Sequence, residues 1–115
     1  MADCVFCKIA DGTIPAKEVR RTEHAVAFHD LNPQAPVHVL VIPTVHVGGA
    51  RDARDDAGER ILGQTMRLAA EVAEELGLGE RGYRLVTNVG AHGGQSVFHL
   101  HVHVLGGRPL GWPPG

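Results

Sequence analysis

The stretch His99-Leu100-His101-Val102-His103-Val104-Leu105 alternates imidazole and aliphatic side chains without a break. Residues two apart on a strand share a face. The alternation predicts a strand from Val97 to Leu105. Leu100, Val102 and Val104 would face a core, and His99, His101 and His103 would face the other way. Three solvated histidines are a poor solubility device, since lysine or glutamate serves better. One metal held by all three is disfavoured by distance. Same-face Cα atoms lie about 6.6 Å apart and the outer pair about 13 Å, whereas metal–nitrogen bonds are about 2 Å. The three histidines should therefore divide into different roles. Imidazole titrates near pH ~6.5, so one can attack or accept a proton while another donates.

Just upstream stands Gly93-Gly94-Gln95-Ser96. A glycine turn lets backbone N–H groups approach an anion closely, and the Ser96 hydroxyl can bond an oxyanion or a leaving group. An anion cradle beside histidine nucleophiles points to phosphoryl or nucleotidyl transfer. Further out, Val37-His38-Val39-Leu40-Val41-Ile42 lies between Pro36 and Pro43 and reads as a buried strand. His24 to Asp30 and Tyr83 to Val89 read as two more strands, and 32–36 and 90–94 as loops. Asp55 to Leu76 reads as the long helix. Ile61, Leu62, Thr65, Leu68, Ala69, Val72, Ala73 and Leu76 fall near one stripe, with aspartates before it and Gly77 after it. Gly58 and Gly63 weaken its first turns. The tail from Arg108 to Gly115 holds Trp112 and three prolines and reads as extended. Strands, one long helix and more strands favour an α+β sheet with the helix on one face.

The chain has 115 residues, enough for one domain, residues 1–115, with a real core. Hydrophobic residues make up 43% and charged residues 21%, which argues against a disordered chain. The net charge is −2 and no basic block stands out, so no nucleic acid partner is expected. No apolar run is long enough to span a membrane, and Met1-Ala2-Asp3-Cys4 is not a secretory leader. A cytoplasmic protein is expected, in which two cysteines are thiols or metal ligands rather than a disulfide.

The run Gln95-Ser96-Val97-Phe98-His99-Leu100-His101-Val102-His103-Val104-Leu105 resembles the signature of the histidine triad (HIT) family. Ala27-Phe28-His29-Asp30-Leu31, Pro33-Gln34-Ala35-Pro36, His38, Val41-Ile42-Pro43, His46, Asn88, Leu105-Gly106-Gly107-Arg108 and Trp112-Pro113-Pro114-Gly115 are similar to its histidine triad nucleotide-binding (Hint) branch. The resemblance covers nearly the whole chain. It implies an α+β fold with an antiparallel sheet, one long helix and a short one. It also implies a homodimer whose sheet runs through the pair. The implied activity is that of a purine nucleoside phosphoramidase, acting on AMP joined to an amine, with aminoacyl adenylates as a further implied substrate class. The implied catalytic residues are His101 as nucleophile, His103 on the phosphate oxygens, Ser96 near the leaving group and His38 in proton traffic. Asp30 and Leu31 would hold the nucleoside, and Asn88, Gly94 and Gln95 would complete the phosphate and ribose contacts; His29, next to Asp30, reads either as lining the base pocket or as a plain strand-end histidine. No metal enters that chemistry. The tail with Trp112 would reach the neighbouring subunit, and Leu110-Gly111 departs from bulkier residues in some relatives.

Cys4-Val5-Phe6-Cys7 is half a tetrahedral zinc site, and such a site needs two further ligands. Microbial members of the family that carry this pair close it with histidines that match His46 and His99 here, which implies a structural Zn2+ on Cys4, Cys7, His46 and His99. A redox pair is a competing reading, which needs a preceding strand and a helix N-terminus. Two unrelated buried thiols are another. His24 and His92 are expected at the surface. Two other functions compete with the phosphoramidase: a dinucleoside polyphosphate hydrolase or nucleotidylyltransferase, and a nucleotide-binding dimer without turnover. The Trp-Pro-Pro-Gly tail disfavours the first, and the complete triad with Ser96 disfavours the second.

Overall fold

The computed structural model describes residues 4–115. In chain order the elements are α1 (Val5–Ala10), β1 (Glu18–Arg21), β2 (Ala25–His29), β3 (Val37–Pro43), α2 (Asp56–Glu75), β4 (Arg84–Val86), α3 (Gly90–Gly93) and β5 (Val102–Gly106). The strands form one sheet in the order β1-β2-β3-β5-β4, with every neighbouring pair antiparallel. The expected α+β architecture, with one long helix against an antiparallel sheet, is present. Hydrophobic periodicity left strand direction open, and the antiparallel sheet is the one that the family resemblance implied.

Helix α2 begins where its side-chain chemistry says it should. Asp55 is the N-cap and accepts from the Gly58 amide at 2.7 Å, a cap of the kind that stabilises by about 1 kcal/mol. Gly58 is needed at this point, because a Cβ there would sit 2.5 Å from the Ala53 carbonyl carbon. The helix buries Thr65, Leu68, Ala69, Val72 and Ala73 against Ala25, Ala27, Val39, Val41, Val102 and Val104. Those strand residues occupy alternate positions, so β2, β3 and β5 give one face to α2.

The other face is divided. Over β2 and half of β3, Val26, Phe28, Leu40 and Ile42 pack beneath Phe6, Ile9 and Ala10 of α1. Beyond α1 the face turns to imidazole, from His38 on β3 and His103 on β5. Leu40 pairs with His103 and His38 with Leu105, so the two histidines are diagonal neighbours on one face.

Three expectations need correction. The final strand begins at Val102, not Val97. Residues 97–101 run into it outside the ladder. The Leu100 amide donates to the Val47 carbonyl at 2.6 Å and the Thr87 hydroxyl to the His101 carbonyl at 2.8 Å. His99 and Leu100 are both buried, His99 at the cysteine pair and Leu100 beneath the Val47 segment. The Gly90–Gly94 segment is not an open loop. It makes the single helical turn α3, stopped by Gly94 in the left-handed region (φ 84°), where glycine is at ease. The strand expected over Tyr83–Val89 is only Arg84–Val86. Among the described residues no helix is long and apolar enough to cross a membrane.

Candidate functional site

The three histidines of the alternating stretch do separate. His99 is fully buried, and its Nε2 lies 3.0 Å from the Pro43 carbonyl. A carbonyl only accepts, so Nε2 carries the proton and Nδ1 holds the lone pair. That lone pair faces the Cys4 sulfur at 3.4 Å, the Cys7 sulfur at 3.5 Å and His46 Nδ1 at 3.2 Å. Cys7 Sγ lies 3.2 Å from His46 Nδ1, and all four ligand atoms fall within 4.8 Å of one another. A zinc tetrahedron with bonds of about 2.0–2.3 Å has edges of about 3.3 Å between nitrogens and about 3.5 Å between nitrogen and sulfur. The four contact distances match those edges. Two thiols, a His99 with its tautomer fixed by a backbone carbonyl, and a second imidazole form a donor set that suits zinc. Without a cation, burial and the adjacent Cys4 push the Cys7 thiol above its usual range.

His101 is oriented by the same short segment. Its Nδ1 lies 2.8 Å from the His99 carbonyl, so Nδ1–H donates there. The lone pair is then on Nε2, the nitrogen left for the cavity that His101 lines.

His103 takes its tautomer from a chain of donors that begins on the backbone. The Gln34 amide donates to His38 Nδ1 at 3.0 Å. With Nδ1 accepting, His38 carries its proton on Nε2, which lies 2.9 Å from His103 Nδ1. His103 Nδ1 therefore accepts, and its own proton sits on Nε2. Asp30 Oδ2 stands 3.4 Å from His38 Nε2, and Asp30 Oδ1 accepts from the Asn32 amide at 2.8 Å. Asp30, His38 and His103 lie close enough together for a metal. A cation on His38 Nε2 would, however, require an imidazolate while Nδ1 accepts from Gln34, so the trio suits a proton relay. Burial holds His103 down to about 4, with the neighbouring His101 and His38 adding to the effect. Burial also lowers His38, against an opposing pull from Asp30. Both rings are neutral at pH 7, so the cavity receives a lone pair from one imidazole and an N–H from the next. The rings of His101 and His103 are 5.1 Å apart, centre to centre.

These groups open into a cavity of about 370 Å³. Of the expected site residues, His29, Asp30, Leu31, Ser96, His101 and His103 line it. Leu31 is 95% exposed at its rim. His38 stands behind His103. Asn88, Gly94 and Gln95 do not line the cavity. The Gln95 amide is taken up by the backbone, with Nε2 donating to the carbonyls of Gly48 (2.8 Å) and Val97 (3.2 Å) and Oε1 accepting from the Gly90 amide (3.0 Å). It fastens α3 and the segment that carries Ser96. The opposite wall was missed in the sequence and is apolar: Val5, Phe6, Ile9, Ile14, Phe28 and Leu40. The available signal was the apolar spacing of Val5, Phe6 and Ile9 beside the cysteine pair. His24 and His92 are at the surface, as expected. Trp112 is 82% exposed on the tail, which Arg84 holds by donating to the Gly111 carbonyl at 2.7 Å.

A family model described as HIT domain matches residues 11–110. The chain is 49% identical over 113 residues to an uncharacterised HIT-like protein of Synechocystis, spanning 98% of this chain and 97% of that one. It is 43% identical over 109 residues to the purine nucleoside phosphoramidase of Escherichia coli K12, spanning 95% and 91% of the two. A HIT family hydrolase from Legionella pneumophila superposes with a TM-score of 0.93 at 47% identity, covering 98% of this chain and 100% of that one. A histidine triad protein from Clostridium difficile superposes with a TM-score of 0.91 at 40% identity, covering 96% of each.

Proposed function

The chain belongs to the HIT domain family, and from that premise we propose that it is a hydrolase of purine nucleoside phosphoramidates that works through a nucleotidyl-histidine intermediate. The observation that carries this reading is the pairing of fixed tautomers at the cavity mouth: His101 turns a lone pair inward and His103 an N–H.

In the first step His101 Nε2 attacks the α-phosphorus. A bond forms from nitrogen to phosphorus, and the phosphorus–amine bond breaks. The departing amine takes a proton that the Ser96 hydroxyl relays from solvent, so the hydroxyl is restored as the amine leaves. His103 Nε2–H donates to a non-bridging phosphate oxygen, where negative charge accumulates. In the second step water attacks the same phosphorus and gives up a proton to solvent, balancing the one taken in the first step; the nitrogen–phosphorus bond breaks, and the imidazole lone pair returns. The products are a nucleoside monophosphate and a free amine. Dividing one displacement into two lowers the barrier of each. His38 keeps His103 in its donating tautomer and provides a route for protons.

The purine enters the apolar wall made by Phe6, Ile9, Ile14 and Phe28, and the Asp30 carboxylate accepts from ribose hydroxyls, with His29 and Leu31 beside it. Asn88, Gly94 and Gln95 shape the phosphate end, Gln95 through the backbone it ties. The Cys4, Cys7, His46 and His99 set would hold a structural zinc ion, which would cross-link α1 to the segment that carries the nucleophile. The protein works as a homodimer in the cytoplasm, with the short edge strand β4 available for pairing and the Trp112 tail reaching the second subunit.

The test is steady-state hydrolysis of an adenosine 5′-phosphoramidate carrying a fluorescent amine, wild type beside His101→Gly. Release by wild type alone supports the reaction class and the nucleophile together. Release by neither, with AMP still bound, would leave a binding protein.

A further inference from the structure

Helix α1 serves two structures at once. Cys4 and Cys7 belong to the metal cluster, while Val5, Phe6 and Ile9 line the cavity. Phe6, between the two cysteines, is the physical link. Its ring lies edge-on to His101 at 5.2 Å, to Phe28 at 5.8 Å and to His99 at 6.0 Å.

The two ends of α1 are secured differently. At the C-terminal end, Arg21 donates to the carbonyls of Ala10 (2.7 Å) and Ile9 (3.2 Å). At the N-terminal end, among the described residues, the Cys7 amide donates to Cys4 Sγ at 3.3 Å and the Lys8 amide to the Cys4 carbonyl at 3.2 Å, and the tie to the rest of the fold is the cluster itself. A helix of six residues cannot persist on its own hydrogen bonds, because nucleation is unfavourable. Its first turn therefore depends on the clamp and on burial of Phe6. The nucleophile does not share this dependence. His99 stays on the Pro43 carbonyl, and the next residue stays on Val47 through its amide, so the carbonyl that orients His101 is held whether or not the cluster is loaded.

We propose that metal loading of the Cys4–Cys7–His46–His99 cluster controls nucleotide affinity by holding α1, with Phe6 as the positioning residue, as the wall of the cavity. This rests on reading the cavity as a nucleotide pocket. Loading acts on binding, through the wall, and leaves the nucleophile's orientation in place. Coupling between two sites is reciprocal, so a bound nucleotide must tighten metal retention by the same factor.

The experiment uses the full chain loaded with Zn2+, and AMP as the probe. Zinc affinity is measured by competition with a chromophoric chelator, with and without saturating AMP. AMP affinity is measured by calorimetry on loaded and stripped protein. We expect AMP to bind about tenfold more weakly after stripping, and zinc to be held about tenfold more tightly with AMP present. Amide exchange should rise in residues 5–10 on stripping and stay unchanged in β3 and β5. KM should rise by the same factor with kcat nearly constant. The chelator arm remains decisive if stripped protein is too unstable for calorimetry. Loaded Phe6→Leu should keep its zinc, bind AMP several-fold more weakly and show a smaller coupling factor. Equal AMP affinity in loaded and stripped protein, or zinc retention indifferent to AMP, overturns the coupling and leaves the nucleotide pocket standing. Failure of the loaded protein to bind AMP removes the pocket reading, and the coupling with it.

Discussion

Replacing His38 with phenylalanine isolates the tautomer relay from the nucleophile. The ring volume is nearly kept at a site only 6% exposed. The Nε2–H that His103 Nδ1 accepts at 2.9 Å is lost, and so is the acceptor for the Gln34 amide. A hydrogen bond of this kind is worth about 1 kcal/mol net, and an orphaned buried partner costs about 1–3 kcal/mol. Without it, His103 can place its proton on Nδ1 and turn a lone pair toward the phosphate. A bias of about 1.4 kcal/mol is a factor of ten, so kcat at pH 7 should fall about tenfold, with KM within about threefold. The His103 ring should also titrate above about 4, because His38 contributes to its depression, while staying below the ordinary value because burial is the larger cause. The assay is kcat together with nitrogen NMR of the His103 ring, which reads tautomer and titration in one spectrum. His38→Gln, which can accept from Gln34 and donate to His103, should recover part of kcat. Unchanged kcat with His103 still protonated on Nε2 would refute the relay.

Other expectations test the fold and its pH range. His103 is held at about 4 in the folded protein, against about 6.5 when unfolded. Its contribution to stability is therefore complete above pH ~6.5 and is lost as pH falls toward ~4. The full effect would be about 3 kcal/mol, reduced to on the order of 1–2 kcal/mol by water in the open cavity. Urea midpoints should fall across that window, and His38, also lowered, adds in the same direction. Gly58→Ala should destabilise by about 1–3 kcal/mol, because the new Cβ meets Ala53 backbone at 2.5 Å that cannot give way. Gly63→Ala meets nothing within 4 Å and should stabilise by about 0.5–1 kcal/mol. Thermal unfolding of the pair separates helix propensity from space. Cys4→Ala should lower zinc content and drop Tm by on the order of 10 °C, while turnover at saturating substrate persists. An unchanged Tm and metal content would remove the zinc assignment.

The parts of the fold legible in the sequence were those in which one period dominates. Helix α2 spans Asp56–Glu75 between caps at Asp55 and Leu76, against an expected Asp55–Leu76, because its stripe and its aspartates agree. Strand β3 ends one residue beyond the expected boundary. The segment of greatest chemical interest was partly misread, because period-two alternation looks the same whether a chain runs in a ladder or merely extended beside one. His99 and His101 are placed by single hydrogen bonds, from the His99 ring to the Pro43 carbonyl, from the Leu100 amide to the Val47 carbonyl and from the Thr87 hydroxyl to the His101 carbonyl, and no local pattern announces them. Strand β1 escaped notice because Glu18-Val19-Arg20-Arg21 carries little apolar signal and lies at the sheet edge. The division of roles among the histidines followed from strand spacing. The donor order that sets each tautomer did not, since it starts from the amide of Gln34, a loop residue with no sequence signature.

The most direct test of the account is rapid quenching of wild-type protein during turnover of an adenosine 5′-phosphoramidate, followed by digestion and mass spectrometry under neutral or alkaline conditions. The account predicts an adenylyl group on His101, formed and consumed at rates consistent with turnover and absent from His101→Gly. Turnover without any adduct on His101, or an adduct formed at full rate on another residue, would contradict it.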